Sequence, residues 1–420
     1  MEMRSIKGTN DIMEPEINKW HYIEKLARHL FESYGYQEIR TPIIEYTNLF
    51  KKSIGQATDI VKKEMFTFKD RGSRSIALRP EETASVVRAY LEHKLYKKSK
   101  SVKLYYVGPM FRSEKPQAGR MRQFHQMGVE AIGSYDPYLD AEIIALMYNI
   151  TTEIGLRNFN ILLNSLGCPK DREHYRNVLK QELKEELKNL CQDCKQRYNT
   201  NPLRILDCKN PHCKKIIKKL PSPIEYICDV CRQHFEKVKE SLKAIGVPYT
   251  VNSRLVRGLD YYTRTIFELT HSKLGAKNAI CAGGRYDNLV SSFGGPKVGA
   301  CGFAFGIERL IMATEAEKIE LKGKERNSIY VAVINEEVKN EAYKIVNEIR
   351  NQRIKAYIDY QDRSLKAQMR QANKLQSKFV IVVGEDELKK GKVVLKDMEA
   401  HTQSEISKKD LVPILKEKLS

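Results

Sequence analysis

No run in the 420 residues approaches the roughly 18 uninterrupted apolar residues that a membrane helix needs, and the opening stretch MEMRSIKGTNDI has no apolar core of the secretory kind. The expectation is a soluble, cytoplasmic chain without a membrane partner. Neither a G-x-x-x-x-G-K-[ST] loop nor a strand-linked G-x-G-x-x-G occurs, which excludes the two common nucleotide cradles. Internal repeats and low-complexity tracts are missing as well. Acidic residues are in short supply, 53 against 73 basic ones, and the resulting net charge of +20 exceeds what solubility requires. A polyanionic partner such as nucleic acid is one reading and a lysine-rich surface is the other; composition does not separate them. Nine cysteines are an odd count without a secretory signal, which argues against a disulfide framework.

What is present divides along the chain, because this length exceeds what one core supports. Residues 1–167 read as the first part of a catalytic domain, 168–240 as a helical cysteine-rich insertion, 241–322 as the second part, and 327–420 as a separate module. Apolar residues at helical spacing fill 15–34. YQEIRTPIIEY (36–46) is extended but interrupted by Pro42, which suits an edge or an interface. RPEETASVVRAYLEH (79–93) has Pro80 at a helix start. Strands at 102–112 and 121–133 flank the turn SEKPQAG as a long antiparallel hairpin. RGLDYYTRT (257–265) reads as a strand, and GFAFGIERLIMATEA as a strand running into a helix. After a charged linker at 317–327, strands alternate with helices at 336–352 and 364–377, as in a small β/α domain with a mostly parallel sheet.

Alternation sorts the second hairpin strand into two faces. Odd positions carry His125, Met127, Val129 and Ala131, fit for a core. Even positions carry Arg122, Phe124, Gln126, Gly128 and Glu130, which is either the floor of a small polar pocket or an ordinary half-exposed face. Arg112, Arg120, Arg122, Arg257 and Arg309 stand near element ends, and the forked, permanently charged guanidinium suits phosphate oxygens.

These residues carry a resemblance that covers essentially the whole chain. GYQEIRTP, FRSE with GRMRQFHQMGVE, and GFAFGIERL resemble, in order, the three motifs of class II aminoacyl-tRNA synthetases, while RGLDYYTRT and AGGRYD resemble two peptides peculiar to bacterial histidyl-tRNA synthetases. The resemblance implies an α+β catalytic domain with an antiparallel sheet (the class II synthetase fold), a helical insertion and a C-terminal α/β anticodon-binding domain. It implies activation of L-histidine by ATP, with Mg2+, and transfer to tRNA(His) by a homodimer whose interface includes Pro42. Carried over, Arg257 faces the α-phosphate and the histidine carboxylate opposite Arg112. Tyr261 and Tyr262 wall the histidine pocket; Glu81, Thr83 and Gln126 hold the α-ammonium; Glu130 and Tyr262 bond the imidazole nitrogens. Glu114 and Phe124 receive adenine, and Arg309, helped by Arg120, the γ-phosphate. One departure stands out: the family pattern R-P-E-G-T is RPEET here, with Glu82 in the glycine position. The regulatory subunit related to this family normally lacks the C-terminal module, and a class II amide ligase would share the phosphate arginines but not both histidine peptides.

The insertion holds CQDC (191–194) and CDVC (228–231), with Cys208 and Cys213 between them. Cys191, Cys194, Cys228 and Cys231 make a candidate structural zinc quartet, although the gap exceeds the usual spacing; reduced free thiols in a helical module are the alternative. Lys214, Lys215, Lys218 and Lys219 nearby suit either a tRNA acceptor stem or a solvated helix face.

Overall fold

A computed structural model describes residues 3–56, 58–116, 119–275, 278–321 and 327–419. The chain divides into two units, Met1–Leu321 and Lys322–Ser420. Residues 117–118 of the hairpin turn and 322–326 of the linker lie outside the described residues.

The first unit contains β1 (Gln37–Glu38), β2 (Ile44–Tyr46), β3 (Thr67–Lys69), β4 (Ser75–Leu78), β5 (Val102–Phe111), β6 (Gln123–Ile132), β7 (Phe159–Ser165), β8 (Thr250–Val251), β9 (Thr263–His271), β10 (Ala279–Arg285) and β11 (Ala300–Gly306). Eight of these form one sheet in the order β1-β5-β6-β11-β10-β9-β7-β8, while β2, β4 and β3 form a small second sheet. The large sheet is antiparallel from β5 to β7, with β1 and β8 added in parallel at its two edges.

Strand alternation gives this sheet two different faces. Met127, Val129, Ala131, Phe267, Leu269, Phe303 and Phe305 enter one core with residues of the helices Glu16–Ser33, Pro137–Glu153 and Asp229–Ala244, among them Trp20, Phe31, Met147 and Phe235. The opposite face carries Tyr106, Met110, Tyr261, Tyr262, Ile266 and Tyr286 with Val86, Val87 and Tyr90 of the helix Thr83–Glu92. Only this second face has room for a polar site, because the first is covered by apolar helix stripes.

Two sequence expectations shift locally. RGLDYYTRT is not a strand from its start: residues 257–262 form a turn-containing loop and β9 begins at Thr263. The reason lies in its hydrogen bonds. The carbonyls of Gly258, Asp260 and Tyr262 accept from Arg204 and Arg172 of the insertion instead of from a neighbouring strand. The helix expected from Pro80 begins at Thr83, since the Glu81 side chain accepts from the free backbone N–H groups of Thr83 and Ala84.

The insertion comprises the helices Pro169–Glu182, Gln192–Thr200 and Pro211–Ile217 with short 3-10 turns between them, followed by Asp229–Ala244. Its own core is small, built from Tyr175, Leu179, Leu183, Leu203, Ile205, Ile217 and three cysteines.

The second unit is a five-stranded sheet in the order β13 (Lys355–Ile358), β12 (Ser328–Val333), β14 (Phe379–Val383), β15 (Lys392–Asp397) and β16 (Gln403–Ser407). β13, β12 and β14 are parallel, as alternation with helices predicts, but β15 and β16 form an antiparallel hairpin at one edge. Ile329, Val331, Ile345, Ile349, Phe379, Ile381 and Leu415 fill its core.

Candidate active site

β6 supplies the floor, with Met127, Val129 and Ala131 in the core and Glu130 on the other face; His125, expected in the core, is half-buried instead, with its ring Nδ1 3.0 Å from Glu308 Oε1. Glu130 is no solvated strand acid: it is 1% exposed. The Thr83 hydroxyl donates to its Oε1 at 2.7 Å and the Tyr286 hydroxyl donates to its Oε2. β11 passes so close that a Cβ on Gly302 would strike this carboxylate. Burial pushes the Glu130 carboxyl up to about 8, against the hydrogen bonds from Tyr286 and Thr83 that favour the carboxylate. Tyr261 and Tyr262 stand beside it with ring centroids 4.7 Å apart, and Tyr286 meets Tyr261 edge-on at 5.8 Å.

Glu81 and Thr83 adjoin this floor. Glu81 is buried and its carboxyl is raised, chiefly by burial, while its two oxygens accept from the helix start. Gln126 Oε1 is a buried acceptor without a partner among the described residues. Glu82, the departure from the family pattern, has φ −103°, which any residue adopts, so no glycine-only conformation is required. Its carboxylate bonds Arg79 at 2.8 Å and accepts from the Thr41 hydroxyl at 2.6 Å, with both charged groups buried. Burial first, opposed by Arg79, raises its carboxyl to about 7.

The arginines converge on the same face. The Arg112 Nε donates to the Pro80 carbonyl at 3.0 Å, and its guanidinium lies 5.1 Å from the Phe124 ring centroid. Burial pushes Arg112 below its usual range, and the charges it feels come from Glu114, Glu64, Glu81 and Arg120. Arg120 pairs with Glu114. Arg309, in the first turn of the helix Ile307–Ala316, is lowered by burial and then by Arg120, and Glu268 opposes that. Glu268 in turn pairs with Arg257. Burial alone would lower Arg257, but Glu268 and then Tyr262 leave it raised. Glu268, Ala282, Ala304, Gly128 and Tyr106 stand side by side across five strands, Glu268 pairs with Arg257, and the Arg309 Nη1 donates to the Gly119 carbonyl at 3.3 Å beside Arg120, so the separate sequence segments border one stretch of the sheet. The Nε atoms of Arg122, Arg257 and Arg309 are buried donors without partners among the described residues, as expected where anionic oxygens bind.

Sequence reasoning missed two residues of this site. Glu268 lies on the same face of β9 as Ile266, opposite Phe267 and Leu269, so alternation alone marked it as an acid on the pocket side. Tyr286 lies within AGGRYD, but nothing in the sequence pairs it with Glu130. Arg285 of the same peptide is fully buried and engaged with Asp140, Asp287 and the Ser134 carbonyl, and Asp140 also bonds His234 at 2.8 Å. It is a structural cation that ties β10 to two helices.

Both Glu82 and Glu130 have folded-state values above the ordinary 4.5. The folded protein therefore holds protons that the unfolded chain releases, and their contribution to stability is present below 4.5 and lost as pH rises through about 7 and about 8. Urea unfolding should show that Glu130→Gln flattens the decline of stability between about pH 5 and about pH 8.5. An unchanged slope would contradict the buried acid.

The cysteine quartet needs correcting. Cys191 and Cys194 cluster with Cys208 and Cys213, whereas Cys228 and Cys231 cluster with Cys168 and Asp171. The two C-x-x-C pairs begin different helices, Gln192–Thr200 and Asp229–Ala244, and each finds its partners in another segment.

Comparison with known proteins bears directly on this geometry. The family model for histidyl-tRNA synthetase matches residues 8–310, and that for an anticodon binding domain matches residues 328–418. The histidine–tRNA ligase of Halothermothrix orenii is 50% identical, covering 98% of both chains, and that of Desulforamulus reducens is 48% identical, again covering 98% of both. Among solved structures, the apo histidyl-tRNA synthetase of S. aureus is similar with a TM-score of 0.84 at 38% identity, covering 99% of this chain and 100% of that one.

Proposed function

The chain belongs to the histidyl-tRNA synthetase family, and from that premise we propose that the pocket around Glu130 and the arginine cluster carries its histidine–tRNA ligase reaction. Histidine and ATP give histidyl-adenylate and pyrophosphate, and the histidyl group then passes to the 3′ end of tRNA(His). The fold is the class II synthetase fold with an anticodon-binding domain.

The first step needs no protein nucleophile, since the substrate carboxylate attacks the α-phosphorus. It needs charge stabilisation at a phosphorus centre with entering and leaving oxygens in line. Arg257 and Arg112 bracket the α-phosphate and the histidine carboxylate. Arg309 takes the γ-phosphate with Arg120, and Phe124, already beneath Arg112, stacks on adenine beside Glu114. Glu81, Thr83 and Gln126 receive the α-ammonium; the orphaned Gln126 oxygen is suited to it. Glu130 and Tyr262 bond the imidazole nitrogens, with Tyr286 and Thr83 holding the Glu130 carboxyl group in place. A side chain that cannot pair with these buried groups leaves them unsatisfied, a discrimination that can reach ~10⁴.

Mg2+ accompanies ATP in this chemistry and neutralises phosphate charge when bound. Glu64, whose backbone carbonyl accepts from the Ser113 N–H at 2.7 Å next to Arg112 and whose carboxyl carries no other role here, would hold it together with the phosphate oxygens.

Further supports concern the assembly. Ile43, Ile44, Tyr46 and Phe68 expose 40, 49, 58 and 46% of their surface next to Pro42, an apolar edge suited to a homodimer. The second unit would read the anticodon. No helix among the described residues is long and apolar enough to cross a membrane, in keeping with a cytoplasmic enzyme.

The observation that carries this reading is the convergence of arginines from four chain segments beside a buried acid and tyrosines. Purified protein should exchange labelled pyrophosphate into ATP only when histidine is added; no histidine-dependent exchange, with active controls, would overturn it.

A further inference from the structure

We infer that the insertion holds two separate structural zinc ions, one bound by Cys191, Cys194, Cys208 and Cys213 and the other by Cys168, Asp171, Cys228 and Cys231. In each group the potential ligand atoms all lie within 4.8 Å of one another. The Sγ atoms of Cys191 and Cys208 are 3.8 Å apart. A tetrahedron with Zn–S bonds of about 2.3 Å has edges of about 3.8 Å, whereas a disulfide needs about 2.05 Å. Thiols that merely pack as small apolar groups have no reason to bring four sulfur atoms from three segments to one point.

The local construction of the two sites is alike. Cys191 is the N-cap of Gln192–Thr200 and Cys194 sits in its first turn; Cys208 follows the 3-10 turn Pro202–Asp207, and Cys213 lies in the first turn of Pro211–Ile217. In the second site Cys168 and Cys228 are the N-caps of Pro169–Glu182 and Asp229–Ala244, and Asp171 and Cys231 follow each at the same offset. Seven of the eight ligands thus stand at helix starts, and Cys208 closes a 3-10 turn instead. The Cys191 N–H donates to the Cys213 sulfur at 3.2 Å, and the Cys168 N–H to Asp171 Oδ2 at 3.0 Å, the kind of outer hydrogen bond that orients a ligand. Cys208 also lines a small cleft with Lys209, Lys214, Lys218 and Arg254, whose positive charge would offset the roughly −2 of a zinc tetrathiolate.

The module has reason to need such ties. Between Glu182 and Asp229 its helices are short, below the length at which isolated helices hold, and its apolar core is small. The second site joins the first and last helices of the insertion and so closes a long loop. The segments so fixed also hold the loop that bears Tyr261. Arg204, between Cys194 and Cys208, donates to the Gly258 carbonyl at 3.0 Å; Asn201 Nδ2 donates to Asp260 Oδ1 at 2.7 Å; and Arg172, one residue after Asp171, donates to the Tyr262 carbonyl at 2.7 Å.

Metal content by mass spectrometry decides the matter on full-length protein expressed with added zinc and purified under reducing conditions without chelator. About two zinc ions per chain are expected, falling to about one in Cys208→Ser and to about one in Cys231→Ser. Less than about a tenth of an equivalent overturns both sites, and a serine variant that keeps the full wild-type content overturns its own site. Should a variant fail to yield soluble protein, X-ray absorption on the wild-type protein decides instead. A zinc shell dominated by sulfur at about 2.3 Å is expected, and one dominated by nitrogen and oxygen overturns the assignment.

Discussion

Arg257→Ala will cut histidine-dependent exchange of pyrophosphate into ATP by about 10²- to 10³-fold, the usual loss when one positioned donor to a developing charge is removed from a water-poor site. The substitution should leave circular dichroism and sedimentation unchanged, because residues 257–262 are held by backbone carbonyls that accept from Arg172 and Arg204 and not by the Arg257 side chain. Arg257 Nη1 pairs with Glu268 and its Nε is left without a partner, so the guanidinium is oriented from one side and open on the other. Arg257→Lys should recover only part of the loss, since an ammonium keeps the charge but not the fork. Unchanged exchange in Arg257→Ala would refute its role while leaving the enzyme assignment to the histidine-dependence test.

Glu82→Ala will destabilise the folded protein by about 3 kcal/mol in urea unfolding, the order for leaving a buried, charged donor such as Arg79 without its acceptor. It strands the buried Arg79, which would keep only the carbonyls of Pro109 and Thr41 and the Thr41 hydroxyl as acceptors. Because burial raises Glu82 to about 7, its contribution falls as pH rises through that value, so the cost should be larger near pH 5 than near pH 8. Glu82→Gly should rescue nothing, given the ordinary φ of −103° at this position. A cost below about 1 kcal/mol would mean that Arg79 finds other partners.

The two faces of β6 were legible from alternation, and so were the hairpin, the first helix and the β/α order of the second unit. These rest on period and turn chemistry, which are local properties. The edges of the large sheet and one edge of the five-stranded sheet were not: β1 and β8 are two residues each, too short for any pattern, and the hairpin of β15 and β16 is polar on its outer strand. The pairing of cysteines was misread for a related reason. Spacing shows which two ligands share a turn, but not which pairs meet across a helical module.

The amino-acid order by itself determined the family, because the motif peptides are contiguous, and it determined which side chains could bind phosphate and imidazole, because charge and hydrogen-bonding capacity belong to the residue. Only the tertiary structure decided that Glu130 is sealed and raised to about 8, that Tyr286 and Thr83 hold it, that Glu268 orients Arg257, and that Glu82 found a cation. The physical reason is that burial and partner distance set the energy of a charge, and both arise from segments far apart in the chain meeting on one face of a sheet.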